Sequence, residues 1–126
     1  MQSSLTNLNL TYSMFTIQLK KFGRVLISRP AGLEAFNAIR PTLESSESIE
    51  IDFDGVLTVT PSWFDEFLTN LTGYVGNRVE LLPTKNASVL AALPVLAIAR
   101  EDVVAEVVKR ALKRMGMDES KIKEEK

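Results

Sequence analysis

A chain of 126 residues, 45% apolar and 25% charged, is long enough to bury one core and too short for two ordinary domains. Its 15 Lys and Arg are balanced by 16 Asp and Glu, and neither side of Trp63 is basic, which argues against nucleic acid as a partner. The absence of cysteine and histidine excludes disulfides, thiolate chemistry and the commonest general base and zinc ligand, so any catalysis would fall to carboxylates, Lys, Ser, Thr or Tyr.

Met1 to Thr11 is polar, with neither a basic start nor an apolar run, so no signal peptide or membrane span is expected and a cytoplasmic home follows. Met14 to Leu19 alternates apolar with polar and predicts a strand; after Phe22-Gly23, Arg24 to Ser28 predicts a second, the two forming a hairpin. Pro30 suits a first helical turn, and Leu33, Phe36 and Ile39 recur at helical spacing until Arg40-Pro41. Ile49, Ile51 and Phe53 alternate with Glu50, Asp52 and Asp54, predicting a strand with one buried and one partly wet face. From Ser62 an apolar stripe of Phe64, Phe67, Leu68 and Leu71 predicts a helix that Gly73 and Gly76 break. Arg78 to Leu82 predicts a strand stopped by Pro83, and Asn86 to Leu93 a short helix stopped by Pro94. Val95 to Ala99 is then assigned as a buried strand. Val104, Val107, Val108, Ala111, Leu112 and Met115 make the stripe of a last helix, with Glu101 and Asp102 at its positive end and Lys109, Arg110, Lys113 and Arg114 at its negative end.

The stretch from Ile49 to Phe67 carries the functional information, and it supports two readings. Asp52-Phe53-Asp54-Gly55-Val56-Leu57-Thr58 resembles the nucleophile motif of haloacid-dehalogenase-type phosphatases, which implies attack on phosphorus by Asp52, proton handling by Asp54 and Mg²⁺ between them. Thr84, Lys85 and the pair Glu101-Asp102 are nominees for the remaining roles. Against this reading, a central parallel strand covered on both faces should be apolar throughout, and Glu50 would then be buried beside the nucleophile.

The longer pattern points elsewhere. Gly23, Leu26, Ser28 and Arg29, then Asp52 to Val56, then Ser62-Trp63-Phe64-Asp65-Glu66-Phe67 resemble, in order, the opening segment, central strand and helix start of the bacterial STAS-like domains of unknown function, relatives of the anti-sigma factor antagonists. The resemblance runs from about Phe15 to Leu112. It implies an α/β single domain of STAS-like type, a mixed β-sheet with helices mainly on one face, spanning 14–116 between a flexible segment 1–13 and a charged, disordered tail 117–126. It further implies a non-catalytic regulatory module that needs no cofactor or metal, with Ser62 in the place of the phosphorylated serine of the antagonists. Thr60, Pro61 and Trp63 replace the residues that flank that serine there.

Each residue also has a plainer reading. Ser62 followed by Asp65 is a helix-capping arrangement. Trp63 is a core or rim residue, or a half-exposed interface anchor. Arg29 caps or pairs with an acid, Asp65 and Glu66 face water, Asp52 and Asp54 are solvated on the open sheet face, and Lys109 to Arg114 is a solvated helix end. The resemblance implies that Thr60, Trp63, Asp65, Glu66 and Arg29 surround Ser62 as a functional surface and contact a protein partner, a histidine-kinase-like ATPase or sensor.

Overall fold

The computed structural model describes residues 14–44 and 48–117. The N-terminal segment 1–13, and all of the charged tail except Met117, lie outside the described residues.

Strand β1 (Met14–Gln18) ends in a 3-10 turn, Leu19–Phe22, that leads into the short β2 (Val25–Leu26) and helix α1 (Arg29–Ile39). The chain then repeats this plan: β3 (Ser48–Asp52), a turn, the short β4 (Thr58–Val59) and helix α2 (Pro61–Val75). Strand β5 (Val79–Leu81), helix α3 (Ala87–Ala99) and helix α4 (Val103–Arg114) complete the described fold. The expected hairpin does not form. β1 pairs with β3, and β2 with β4, both parallel, so two chain passes run side by side, kink together and continue as a second ribbon. At the kink Gly55 holds φ of 89°, and a Cβ there would press on the Lys20 side chain. The positive φ favours glycine there, since the lysine side chain could move aside.

β3 is the centre of a three-stranded sheet ordered β1-β3-β5, with every pairing parallel among the described residues. Strands that advance in one direction through right-handed crossovers place their helices on one face. Ile17, Ile49, Ile51, Val79 and Leu81 are accordingly buried on that face, while Thr16, Glu50 and Glu80 occupy an open one. This removes the sequence argument against Asp52: β3 is a central parallel strand, yet Glu50 is half-buried, accepting a 3.2 Å hydrogen bond from the Thr16 hydroxyl. Glu50 stands directly beside Glu80, whose charge is met by Arg110 and Arg114 of α4. Arg110 also donates to the carbonyls of Asn77 and Val79, so these arginines, expected to be solvated, fasten α4 to β5.

The helices start and stop by local chemistry. Ser28, Thr60, Asn86 and Asp102 each accept a backbone N–H as N-cap of α1 to α4. Gly73 lies within α2, which ends only at Gly76, where φ is 75°. The segment from Val95 to Ala99, assigned to a strand, is the second half of α3, with Pro94 inside the helix. Pro94 lacks the N–H that would bond to Leu90, but the burial of Val89, Leu93, Leu96 and Ala97 outweighs a loss of about 3 kcal/mol.

The most constrained contact is between α1 and α2. A Cβ on Gly32 would collide with the backbone carbonyl of Trp63 and crowd the Glu66 side chain. Trp63 is thereby sealed in the core, 1% exposed, stacked on Phe67 with centroids 5.0 Å apart and tilted against Phe22 at 6.3 Å. Gly32→Ala should gain about 1 kcal/mol of helix propensity and lose more to overpacking, for a net destabilisation of about 2 kcal/mol. Urea unfolding with an unchanged m-value would register it, and unchanged stability would mean that the helices part at no cost.

Candidate functional site

The close approach of α1 and α2 brings their N-termini together, and the residues singled out around Ser62 collect there. Ser28 takes up φ of 81°, a conformation that costs a non-glycine residue about 1–3 kcal/mol, partly offset by its cap to the Ala31 N–H at 3.3 Å. Arg29 follows at the helix start. At α2 the cap is Thr60, whose hydroxyl accepts from the Trp63 N–H at 3.4 Å. Ser62 is not the cap. It lies within the first turn, half-buried, its hydroxyl 3.3 Å from that of Thr60. The Ser62–Asp65 capping arrangement fails because Pro61 at the first helical position starts the helix two residues earlier.

Asp65 does not simply face water. One carboxylate oxygen accepts from Arg29 at 2.6 Å and the other from Arg100, beyond the end of α3. Arg29 also reaches Glu66 at 3.4 Å, and Arg100 pairs with Asp102 and donates to the Thr69 hydroxyl at 3.1 Å. The result is a chain of alternating charge, Asp102 to Arg100 to Asp65 to Arg29 to Glu66, linking α1, α2 and the α3–α4 junction. Its Arg29 end is 52% exposed and contributes little, whereas Arg100 and Asp65, at 22% and 21%, are partly desolvated and hold the larger share. Hydrogen bonds donated to Asp65 and Glu66 raise the Arg29 pKa above its ordinary value, and those donated to Asp102 do the same for Arg100. The Arg100 guanidinium in turn holds the Asp102 carboxyl below its ordinary value.

Arg29, Pro61, Ser62, Asp65, Val95, Leu96, Arg100 and Asp102 line one open cleft of about 620 Å³. Four of the six residues proposed from sequence, Ser62, Thr60, Asp65 and Arg29, are therefore in or beside this cleft, and Glu66 adjoins it through Arg29. Trp63 is not an interface anchor: its ring is turned into the core. Arg100 was missed, because its partner Asp65 is 35 residues away and no local pattern joins them. An isolated Arg immediately before an acidic helix start was the only signal.

A second cleft, of about 540 Å³, opens where β3 and β5 end and is lined by Asp52, Asp54, Pro83, Thr84, Lys85 and Met115. Asp52 is half-buried and accepts the Asp54 N–H at 3.0 Å, while Asp54 is exposed. Glu101 and Asp102 line a different depression with Glu106 and Lys109. No group of three or more acidic residues positioned to hold a metal ion occurs among the described residues. None of the described helices is long and apolar enough to cross a membrane.

Two parallel ribbons carrying helices on one face, with helix N-termini gathered at one end, define an α/β domain whose candidate site is a polar cleft at a helix start. Residues 34–86 match the family model of the STAS-like domain of unknown function (DUF4325). The match holds β3, β4, α2 and β5, and the fold is that of a STAS-like domain. Gly23, Leu26, Ser28 and Arg29 precede the matched segment. No curated protein and no solved structure matches the chain.

Because the Asp102 carboxyl is held below its ordinary value in the fold, its stabilising effect is present above the unfolded pKa of about 4 and lost as pH falls through the folded value. Asn also caps helices, so Asp102→Asn removes the charge and keeps the cap. The stability difference between wild type and this variant, followed by thermal unfolding from pH 7 to pH 2, should close below about pH 4. A difference constant over that range would remove the ion pair from the account.

Proposed function

We propose that this protein is a non-catalytic, cytoplasmic docking module whose surface from Thr60 to Glu66, with Arg29, meets a partner protein, and that phosphate on Ser62 breaks the contact. The partner class suggested by the family resemblance is a histidine-kinase-like ATPase or sensor. One observation carries this reading. Thr60 does the capping, so the Ser62 hydroxyl is released from that duty and lines an open cleft beside two arginines. A phosphate there would bring close to two negative charges to a helix N-terminus that stabilises them, and would compete with Asp65 for Arg29. It would thereby change both the charge and the hydration of the docking surface. Trp63 has no part in it.

The reading is tested by isothermal titration of a purified partner against wild type, Ser62→Ala and Ser62→Asp. Alanine should bind within about threefold of wild type and aspartate at least tenfold more weakly, a difference of about 1.4 kcal/mol. Equal affinities in all three would sink the switch.

A second reading rests on the cleft at the strand ends, where four of the six residues nominated for Mg²⁺-dependent phosphatase chemistry do come together: Asp52, Asp54, Thr84 and Lys85. Carboxyl ends of parallel strands are the usual place for ligands in α/β sheets. The remaining two nominees, Glu101 and Asp102, line another surface, which ranks this reading second. It predicts Mg²⁺-dependent turnover of p-nitrophenyl phosphate, reduced at least a hundredfold in Asp52→Asn. Absence of turnover by wild type with Mg²⁺ present would dismiss it.

A further inference from the structure

One carboxylate in the Ser62 cleft is shared by two arginines. Asp65 accepts from Nη1 of Arg29 through one oxygen, at 2.6 Å, and from Nη1 of Arg100 through the other. The two guanidiniums come from different elements, α1 and the junction between α3 and α4, and converge on this anion. Two arginines converging on one anion also suit phosphate, which offers three acceptor oxygens to forks of this shape. Asp65 lies three residues, about one turn, beyond Ser62 on α2, and Ser62, Asp65 and both arginines line the same cleft. A phosphate on the Ser62 oxygen would therefore be carried by the same helix face towards the place that the Asp65 carboxylate now fills.

The charge balance of the cleft decides what must give way. Asp65, Glu66 and Asp102 stand against Arg29 and Arg100, so the cluster already has one negative charge in excess. No further cation is among the residues that line the cleft. A phosphate adds a charge of about −1.5 to −2, and only an arginine that now serves a carboxylate can neutralise it. Asp102 is held by Nε and Nη2 of Arg100 and caps α4, and Glu66 also accepts from Asn70 at 3.2 Å. Among the described residues the Asp65 carboxylate accepts from the two arginines alone. It is the anion that a stronger one can replace with the fewest bonds lost elsewhere.

We infer that Asp65 occupies a phosphate seat: phosphate on Ser62 takes Nη1 of Arg29 and Nη1 of Arg100, and the Asp65 carboxylate turns out to solvent. The inference rests on the docking reading above and specifies how its switch works. The surface shown to the partner exchanges a paired carboxylate for an unpaired one, while the phosphate itself is held within the cleft. The modification transfers the γ-phosphoryl group of a nucleoside triphosphate from the partner ATPase. The bond from phosphorus to Ser62 Oγ forms, the bond to the nucleoside diphosphate breaks, and the hydroxyl proton passes to a base of the partner.

The test titrates the phosphate. Phosphoserine is placed at position 62 of the full chain by genetic code expansion, and its second ionisation is followed by ³¹P NMR beside that of a peptide of residues 58–64 phosphorylated at the same serine. Two arginines on the phosphate should lower its pKa by at least about half a unit from the ordinary value of about 6, and Arg100→Gln and Arg29→Gln should each restore part of the shift. A phosphate left facing three carboxylates would titrate at or above the peptide value, which overturns the seat. A lowered value that neither variant changes does so too, because the helix end alone would then account for it. Arg29 is 52% exposed, so its replacement keeps the test open should Arg100→Gln fail to fold. A crystal structure of the phosphoprotein with Asp65 still bridging both arginines also overturns the exchange. These measurements contain no partner. A seated phosphate that leaves partner affinity unchanged would remove the docking switch alone, and an unseated one that weakens binding would remove the seat alone.

Discussion

The rest of the structure depends on the approach of α1 to α2 at Gly32, where the helix backbone meets the Trp63 carbonyl with no room for a side chain. That contact fixes three things together. It turns the Trp63 ring inward onto Phe67 and Phe22, where burial of each large side chain contributes about 1.5–3 kcal/mol. It sets the two helix N-termini side by side. It also puts Arg29 within reach of Asp65 and Glu66, so the charged chain around Ser62 is a consequence of backbone packing between residues far apart in sequence.

The sheet solves a different problem. Parallel sheets are ordinarily covered on both faces, and this one is open on one, where Thr16, Glu50 and Glu80 stand. A polar face is tolerable because its charges are met by neighbours: Glu50 accepts from Thr16, and two arginines of α4 meet Glu80 across the sheet edge. Exposed apolar side chains occur elsewhere: Val95 and Ile98 on α3, with Val95 adjoining the Ser62 cleft, and Val25, Ile27 and Leu57 around the second ribbon.

Much of the site was legible because its signals are local. The strand from Ile49 followed by the Ser-Trp-Phe-Asp-Glu helix start is read within twenty residues and points by resemblance to Ser62, Thr60 and Asp65, while Arg29 belongs to the opening segment that ends in Ser28-Arg29. The cap was misplaced by two residues, since Thr60 and Ser62 are both capping types, Ser the stronger, and the position of Pro61 within the helix decides for Thr60. The exposure of Trp63 was likewise undecidable from its neighbours. Its burial follows from a glycine in another helix.

The sequence by itself determined what repeats over short spans: the amphipathic stripes of α1, α2 and α4 and the alternation along β1 and β3, and hence the α/β class. Those patterns arise from the 3.6- and 2-residue periods of the backbone, and no distant contact is needed to read them. Only the tertiary structure decided that β1 and β2 pair with later strands instead of with each other, and that Val95 to Ala99 continues a helix through Pro94. The same holds for Asp65 bridging Arg29 and Arg100. In each case contacts with residues far along the chain make the selection, at Pro94 against a local loss of about 3 kcal/mol.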